Sequence, residues 1–292
     1  MSLGLLFAFL APIGWSIAVL IDKYILVHKV KSTWSYSAVT GLVTLAFAAI
    51  LTLFFDWSTV TLAQLVFPAL TGIMVGIFTF AYLFTLEQED ASSISGFFFL
   101  YPALAGLLAF FMLHERIPWL GYTGMIITLF GVALLVRRQL KIRKGTQWWL
   151  ISIAIVSLSL KALFSKVAVA SLPPLQAYSI SAIIEGIILF AAILHPLARK
   201  HFIAETRVTL WAIISEVWNW GAYAASFIAL TTLPVAIVVS IASIMPVTLL
   251  LLERILDAMV GRIVRDHVLL PRLGPLVLIA IGIALLGIAG YQ

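Results

Sequence analysis

The stretch LGLLFAFLAPIGWSIAVLIDKYIL, residues 3–26, decides the class of fold. A helix of about 20 apolar residues crosses the hydrocarbon core of a bilayer, which is roughly 30 Å thick, so this stretch is predicted to span a membrane. No basic segment precedes it and no small-residue cleavage site follows it. We therefore interpret it as a retained span and not as a signal peptide.

Similar apolar runs recur along the entire chain, which has 292 residues, 63% of them hydrophobic and 10% charged. In soluble domains about a quarter of the residues are charged. The lower charged fraction of this chain indicates that a lipid bilayer surrounds it. Within a bilayer each backbone polar group must be satisfied inside its own segment, which favours helix throughout. Ten spans are predicted, at residues 4–26, 34–55, 63–86, 92–113, 118–137, 147–170, 174–197, 208–230, 234–253 and 272–291.

The charge and cysteine counts exclude several classes of protein. There is no cysteine, which excludes disulfides, thiolate metal sites and iron–sulfur clusters. The formal charge of +6 comes from basic residues in short loops between apolar runs, so they are interpreted as topology signals and not as a nucleic-acid surface. No cofactor or metal site is predicted.

An internal repeat appears when the chain is compared with itself at an offset of about 143 residues. The segment 20–23, LIDK, then aligns with 163–166, LFSK, and Pro102 aligns with Pro246 at nearly the same offset. The segment 118–121, PWLG, aligns with 271–274, PRLG, after an insertion. Five spans in each half predict two inverted repeats, residues 1–140 and 141–292, a plan found in many secondary transporters.

The insertion in the second half, residues 253–267, has an amphipathic pattern. Its apolar residues fall on one helical face, and its charged residues, including Arg254, Asp257 and Arg265, fall on the other. This pattern predicts a short helix lying in the membrane interface between spans 9 and 10, with its basic side towards lipid headgroups. The alternative is an extension of span 9 beyond the membrane.

The distribution of basic residues predicts the orientation. The loops after spans 1, 5, 7 and 9 hold nearly all lysines and arginines, and the opposite loops have little beyond Arg116 and Lys166. By this count the basic loops are cytoplasmic and both termini lie outside. The cell membrane is the expected location.

The pattern resembles the EamA-type branch of the drug/metabolite transporter superfamily, which has two five-span repeats. The resemblance rests on Trp15-Ser16 and Asp22-Lys23 in span 1, on Leu100-Tyr101-Pro102 in span 4, and on the junction 113–121, LHERIPWLG, before the Gly131-containing span 5. Two features depart from the family. The second half carries the inserted stretch after Glu253-Arg254, and well-known ten-span members keep both termini in the cytoplasm.

Three ionisable residues inside predicted spans are candidate functional groups, because charge at membrane depth is costly. Lys161 lies between Ser157 and Ser165 on one face of span 6, where the alternative is a lysine that reaches to the interface. Glu185 lies in span 7, which is expected towards the outside of the bundle, so a buried carboxyl with a structural role is an equal alternative.

Glu216 is the strongest of the three candidates. Asn219, Tyr223 and Ser226 follow it at i+3, i+7 and i+10, so the four residues form one polar stripe along span 8. A helix that faces water inside a bundle has this pattern, and the alternative is a hydrogen-bonded seam between helices. We hypothesise that the Glu216 carboxyl binds a proton or a cationic group, with Lys161 as its partner or as the anchor of a substrate carboxylate.

The resemblance implies a central solute site formed by spans 1, 3, 4, 6, 8 and 9. Aromatic rings there could bind an amine or a flat apolar solute, or could simply fill the core. The predicted substrate-binding residues are Trp15, Tyr82, Tyr101, Lys161, Glu216, Asn219 and Tyr223.

The sequence thus predicts a secondary transporter of a small organic metabolite such as an amino acid or amine, working by alternating access. Export is inferred from the resemblance alone, and proton coupling is a hypothesis. Membrane lipids are the expected surroundings of the protein. An intramembrane enzyme is a competing interpretation, but no GxSxG, HExxH or phosphate-binding loop is found. A channel is another, and would be expected to carry rings of like charge.

Overall fold

The computed structural model describes residues 3–88, 100–136, 148–260 and 273–289. Within these ranges the chain is helical, with turns between the helices and no strand. The helices are α1 Leu3–His28, α2 Thr33–Thr52, α3 Leu62–Gln88, α4 Leu100–Met112, α5 Trp119–Val136, α6 Trp148–Ser171, α7 Pro174–Phe190, α8 Pro196–Glu205, α9 Thr209–Thr232, α10 Val235–Ala242, α11 Met245–Val260 and α12 Leu273–Ala289.

Five stretches of helix in the described ranges are long and apolar enough to cross a membrane: α1, α2, α3, α6, and α7 together with the 3-10 turn Ala191–Leu194. Shorter apolar helical stretches lie in α4, in α5, in α10 with α11, and in α12. Helix α9 is 24 residues long but more polar, because it carries Glu216 and Asn219. The molecule is therefore an α-helical protein with several membrane-spanning helices.

The sequence explains where several helices begin. The Ser32 hydroxyl accepts a hydrogen bond from the Ser35 amide and caps α2. Prolines stand at the first positions of α7 and α8, where a missing N–H costs nothing and the fixed φ suits a helix. Helix α8 lies in the segment between spans 7 and 8, where the sequence predicted only a polar break.

Predicted span 9 is not one continuous helix. Helix α10 ends at Ala242 and α11 begins at Met245, one residue before Pro246. Pro246 has no N–H to donate to the carbonyl four residues earlier, that of Ala242, and this accounts for the interruption.

The inserted amphipathic stretch also differs from its prediction. Residues 253–260 continue α11 and do not start a separate helix, which agrees with the alternative of an extended span 9. Residues 261–267 lie outside the described residues, as do the basic run 137–144, the acidic residues Glu89 and Asp90, and the start of predicted span 4.

Helices from the two predicted halves pack against each other. Helix α1 packs on α9, α3 on α6 and α7, α2 on α7, and α5 on α12. Glycines permit the closest approaches. A Cβ atom placed on Gly186 would lie 2.7 Å from the Leu45 side chain and 3.0 Å from the Gly41 carbonyl oxygen, so α2 and α7 touch backbone to backbone.

The outer surface is apolar and the interior contains many hydroxyl groups. Large apolar side chains such as Leu10, Ile126 and Ile187 are exposed on helix faces. A soluble protein rarely exposes apolar surface on this scale, whereas lipid covers it. Many of the buried serines and threonines form hydrogen bonds within or between helices, as is usual where lipid supplies no hydrogen bonds.

Candidate functional site

A cavity of about 100 Å³ lies between the helices of the two halves. Its lining comes from α1, α2, α3, α4, α6, α9, α10 and α11. All seven residues predicted from the sequence line this cavity: Trp15, Tyr82, Tyr101, Lys161, Glu216, Asn219 and Tyr223. The sequence missed Asp22, Thr40 and Thr79, which also line it.

Lys161 is held by aromatic rings. Its side chain is 5% exposed, and Nζ lies 4.7 Å from the centre of the Tyr223 ring and 5.5 Å from that of Trp15. Such distances give a cation–π attraction. In the described part of the chain Lys161 forms no hydrogen bond and no ion pair, so its ammonium donors are available to a ligand in the cavity.

The rings around Lys161 form one aromatic group. Trp15 and Tyr223 meet edge to face with their centres 5.4 Å apart, and Tyr178 stacks on the other side of Tyr223 at 6.1 Å. The Trp15 Nε1–H and the Thr40 hydroxyl are buried without a hydrogen-bond partner among the described residues. Because a buried unpaired donor is costly, both are natural partners for a polar ligand.

Glu216 lies on α9 where the polar stripe predicted it. Asn219 Nδ2 donates to its Oε2 at 3.2 Å, and the Thr44 hydroxyl approaches the same atom at 3.5 Å. The carboxyl is 5% exposed and no lysine or arginine among the described residues pairs with it. A cationic group or a proton in the cavity would supply the missing positive charge.

Glu185 is a buried carboxyl hydrogen-bonded to a neighbouring helix, which agrees with the structural alternative predicted for it. It is 3% exposed because α7 packs on both α2 and α3. It accepts a hydrogen bond from the cavity-lining Thr79 at 3.1 Å, and its charge acts on Lys161 without a direct ion pair. Glu185 is therefore a neighbour of the cavity and not part of its lining.

Asp22 is the acidic residue that the sequence did not assign to the site. Its Oδ1 accepts hydrogen bonds from Tyr36 at 2.8 Å and from Ser215 at 2.6 Å, and Tyr82 approaches Oδ2 at 3.5 Å. A signal was present, since Asp22 follows Trp15 at i+7 and so shares its helix face. Asp22 entered the sequence-based predictions only through the resemblance to the family and was given no role in the site.

Two lysines outside the cavity lining make similar contacts with backbone carbonyls. Lys23 Nζ donates to the Leu86 carbonyl oxygen at 2.7 Å. Lys166 Nζ donates to the carbonyl oxygens of Leu230 and Leu233 at 2.8 and 2.9 Å. Lys166 also pairs with Glu115 at 3.8 Å, and Glu115 accepts a hydrogen bond from the Val235 amide.

Taken together, the long apolar helices and the apolar outer surface define a multi-pass membrane protein with an internal cavity lined in part by ionisable side chains. Residues 2–137 match the profile of the EamA-like transporter family. This match covers the first predicted half of the chain, and the family is a group of membrane transporters within the drug/metabolite transporter superfamily.

Two further comparisons bear on the fold. No curated protein matches the chain. A solved structure described as "Crystal structure of protein" has a TM-score of 0.66 and 17% sequence identity, covering 99% of this chain and 98% of that one. At this identity the likeness concerns the fold alone.

Proposed function

We propose that the protein is a secondary transporter of a small organic metabolite such as an amino acid or amine. The observation that carries the proposal is the cavity, in which one unpaired buried ammonium, Lys161, and two buried carboxyls, Asp22 and Glu216, face the same space. Charges at membrane depth are expensive, and a carrier for a charged solute is a reason to keep them.

The size of the cavity supports a small solute. A cavity of about 150 Å³ holds benzene, and the volume here is about 100 Å³. An amine or a small amino acid is of this order, whereas a sugar phosphate or nucleotide is too large for the cavity in this conformation. Lys161 is the proposed anchor of a carboxylate, and Glu216 is the proposed partner of an ammonium group.

The proposed architecture is ten transmembrane helices in two inverted five-helix repeats, residues 1–140 and 141–292. Two sets of hydrogen bonds support it. Ser16 donates to the carbonyl of Pro12, four residues earlier, and approaches the Met245 carbonyl at 3.4 Å. Ser159 donates to the carbonyl of Ile155, also four residues earlier, and to that of Tyr101 at 3.2 Å.

These serine contacts are equivalent at the offset of the sequence repeat. Ser159 follows Ser16 by 143 positions and Met245 follows Tyr101 by 144, and both Met245 and Tyr101 precede a proline. The lysine contacts behave in the same way, since Lys166 and Leu230 correspond to Lys23 and Leu86. Two-fold related contacts between the halves are what an inverted repeat produces.

The same pairs support alternating access. Lys23 ties α1 to the end of α3, and Lys166 ties α6 to the end of α9, at opposite ends of the cavity if the halves are inverted. Breaking the Lys23 contact while the Lys166 contact remains, or the reverse, would expose the cavity to one side of the membrane at a time. We further propose export across the cell membrane, which rests on the resemblance to the family, and proton coupling, which rests on the buried carboxyls of the cavity.

Flux measurements test this proposal. Purified protein in liposomes is assayed with labelled L-alanine, other amino acids, alkylamines and sugar phosphates, with and without an imposed pH gradient. The expected result is saturable movement of small amino acids or amines and none of sugar phosphates. Product formation instead of transport would identify an enzyme, and flux that does not saturate would identify a channel.

A further inference from the structure

Asp22 lines the same cavity, but the two proposed solute contacts, Lys161 and Glu216, leave it without an assigned role. Its side chain is 8% exposed, and no lysine or arginine among the described residues forms an ion pair with it. Its contacts are instead hydroxyl groups from three different helices: Tyr36 on α2, Tyr82 on α3 and Ser215 on α9.

Hydroxyl partners suit a carboxyl that changes its protonation state. A lysine or arginine favours the ionised form alone, whereas a hydroxyl can either donate to a carboxylate or accept from a carboxylic acid. The group therefore keeps hydrogen-bond partners in both forms. A fixed structural carboxylate would gain more from a cationic partner.

Ser215 shows how the exchange works. Its hydroxyl lies 2.6 Å from Asp22 Oδ1 and 3.2 Å from the Ala18 carbonyl oxygen. With Asp22 ionised, Ser215 donates to Oδ1. With Asp22 protonated, the new O–H can donate to Ser215 Oγ while Ser215 turns its own hydrogen to the Ala18 carbonyl.

The other groups around Asp22 are consistent with this exchange. The titratable groups that face it are Tyr36, Tyr82 and the carboxyl of Glu216, and Lys161 lies across the same cavity. The lining residues from α10 and α11 are uncharged. On its own helix, the neighbouring Lys23 directs Nζ to the Leu86 carbonyl.

We propose that Asp22 is a proton-binding site of the carrier, separate from the solute site around Lys161 and Glu216. A proton from water adds to a carboxylate oxygen of Asp22 while the cavity faces one side, and returns to water when the cavity faces the other. This inference rests on the proposed transport function and assigns its proton coupling to one residue.

Infrared spectroscopy tests the site without any solute. Purified protein in lipid is titrated through acidic to neutral pH, and the C=O band of a protonated carboxyl is followed in wild type, Asp22→Asn and Glu216→Gln. A band component present in wild type and Glu216→Gln but absent in Asp22→Asn supports the proposal. Identical titrations of wild type and Asp22→Asn would overturn it. Asparagine keeps the acceptor oxygen, so the fold should persist.

Transport of L-alanine and ethylamine provides the second readout. With one proton per solute, a gradient of one pH unit supports about tenfold accumulation. Asp22→Asn should abolish this accumulation but retain exchange of labelled for unlabelled solute, while Asp22→Glu should retain both. Undiminished gradient-driven accumulation by Asp22→Asn would contradict the assignment. Failure of wild type to move any solute would instead contradict the proposed function, and the infrared result would still decide on Asp22.

Discussion

Lys161 Nζ lies 4.7 Å from the centre of the Tyr223 ring, and the two residues come from two helices of the second half of the chain, α6 and α9. Ring faces stabilise a cation only partly, and Lys161 has no carboxylate in direct contact among the described residues. The ammonium group is thus positioned to bind a carboxylate that is not part of the protein.

Replacing Lys161 should separate two kinds of solute. Lys161→Met keeps the length of the side chain but removes its charge, so affinity for amino acids should fall by about 30-fold or more, as is usual when one member of a buried charge pair is lost. Affinity for an amine of similar size should change little. Competition binding with L-alanine and ethylamine measures both.

The control for this variant is Lys200→Met, an exposed lysine on α8 that lies far from the cavity lining. It should leave both affinities unchanged. Equal losses for L-alanine and ethylamine in Lys161→Met would show that Lys161 supports the fold of the site and does not bind a carboxylate.

The Lys166–Glu115 contact should control opening of one end of the cavity. Lys166→Met removes an ion pair and two hydrogen bonds to the Leu230 and Leu233 carbonyls, so this end should open more often. When Ser226 in the cavity wall is replaced by cysteine, a water-soluble thiol reagent should then react faster with that cysteine. The natural chain has no cysteine, which keeps the signal specific.

Acid should have the opposite effect at this end. Burial raises the pKa of the Glu115 carboxyl above its usual range, although the Val235 amide and Lys166 both lower it. When the end opens, Glu115 meets water and its pKa returns towards the ordinary value. The closed end therefore binds a proton more readily, and acidification through the interval between the two pKa values favours closure.

Glu115→Gln imitates the protonated carboxyl and provides the matched test. It should slow labelling of the Ser226→Cys background and remove the effect of pH on that labelling. Labelling of Glu115→Gln as fast as that of Lys166→Met would mean that the lost ion pair with Lys166 matters more than the cost of burying the carboxylate. That result would contradict the prediction that acid favours closure.

Much of the site could be predicted from the sequence because its residues repeat with helical spacing. Glu216, Asn219 and Tyr223 stand at i, i+3 and i+7 on a helix that is otherwise apolar, and all three line the cavity. The spacing of polar residues along a helix is a local property, and a single sequence displays it directly.

The features of the site that the sequence did not predict depend on contacts between distant segments of the chain. The i+7 spacing from Trp15 places Asp22 on the cavity face of α1, but its partners Tyr36 and Ser215 come from other helices and cannot be found from the sequence of α1. For Glu185 the sequence left a functional and a buried structural carboxyl open, and its burial follows from the contacts of α7 with both α2 and α3. Pro246 is a residue that interrupts helices, but the sequence did not indicate that α10 ends at Ala242.

Two glycines in the middle of helices should respond differently to the same substitution. A Cβ on Gly186 would meet Leu45 and the Gly41 carbonyl at 3.0 Å or less, so Gly186→Ala should destabilise the protein by about 1–3 kcal/mol, as overpacking usually does. Thermal unfolding in detergent measures the change.

Gly221→Ala is the control. Gly221 is exposed on α9 and nothing lies within 4 Å of an added Cβ, so alanine should be neutral or stabilise the helix by about 0.5–1 kcal/mol. A melting temperature of Gly186→Ala equal to that of Gly221→Ala would contradict the close approach of α2 and α7.

Single cysteines also test the orientation. By the count of basic residues, the loop containing Lys200 is cytoplasmic and the loop containing Ser58 is outside. An impermeant thiol reagent applied to intact cells should therefore label Ser58→Cys and spare Lys200→Cys. The reverse pattern would place both termini in the cytoplasm, as in well-known members of the family.

Gradient-driven uptake by Glu216→Gln tests the account most directly. The variant keeps the shape of the side chain and removes its charge, and Glu87→Gln, at the end of α3, serves as the matched control outside the cavity lining. We measure saturable flux of L-alanine and ethylamine in proteoliposomes across a range of pH. The account predicts loss of flux in Glu216→Gln and normal flux in Glu87→Gln. Unchanged flux with unchanged pH dependence in Glu216→Gln would contradict the claim that this carboxyl binds the transported solute.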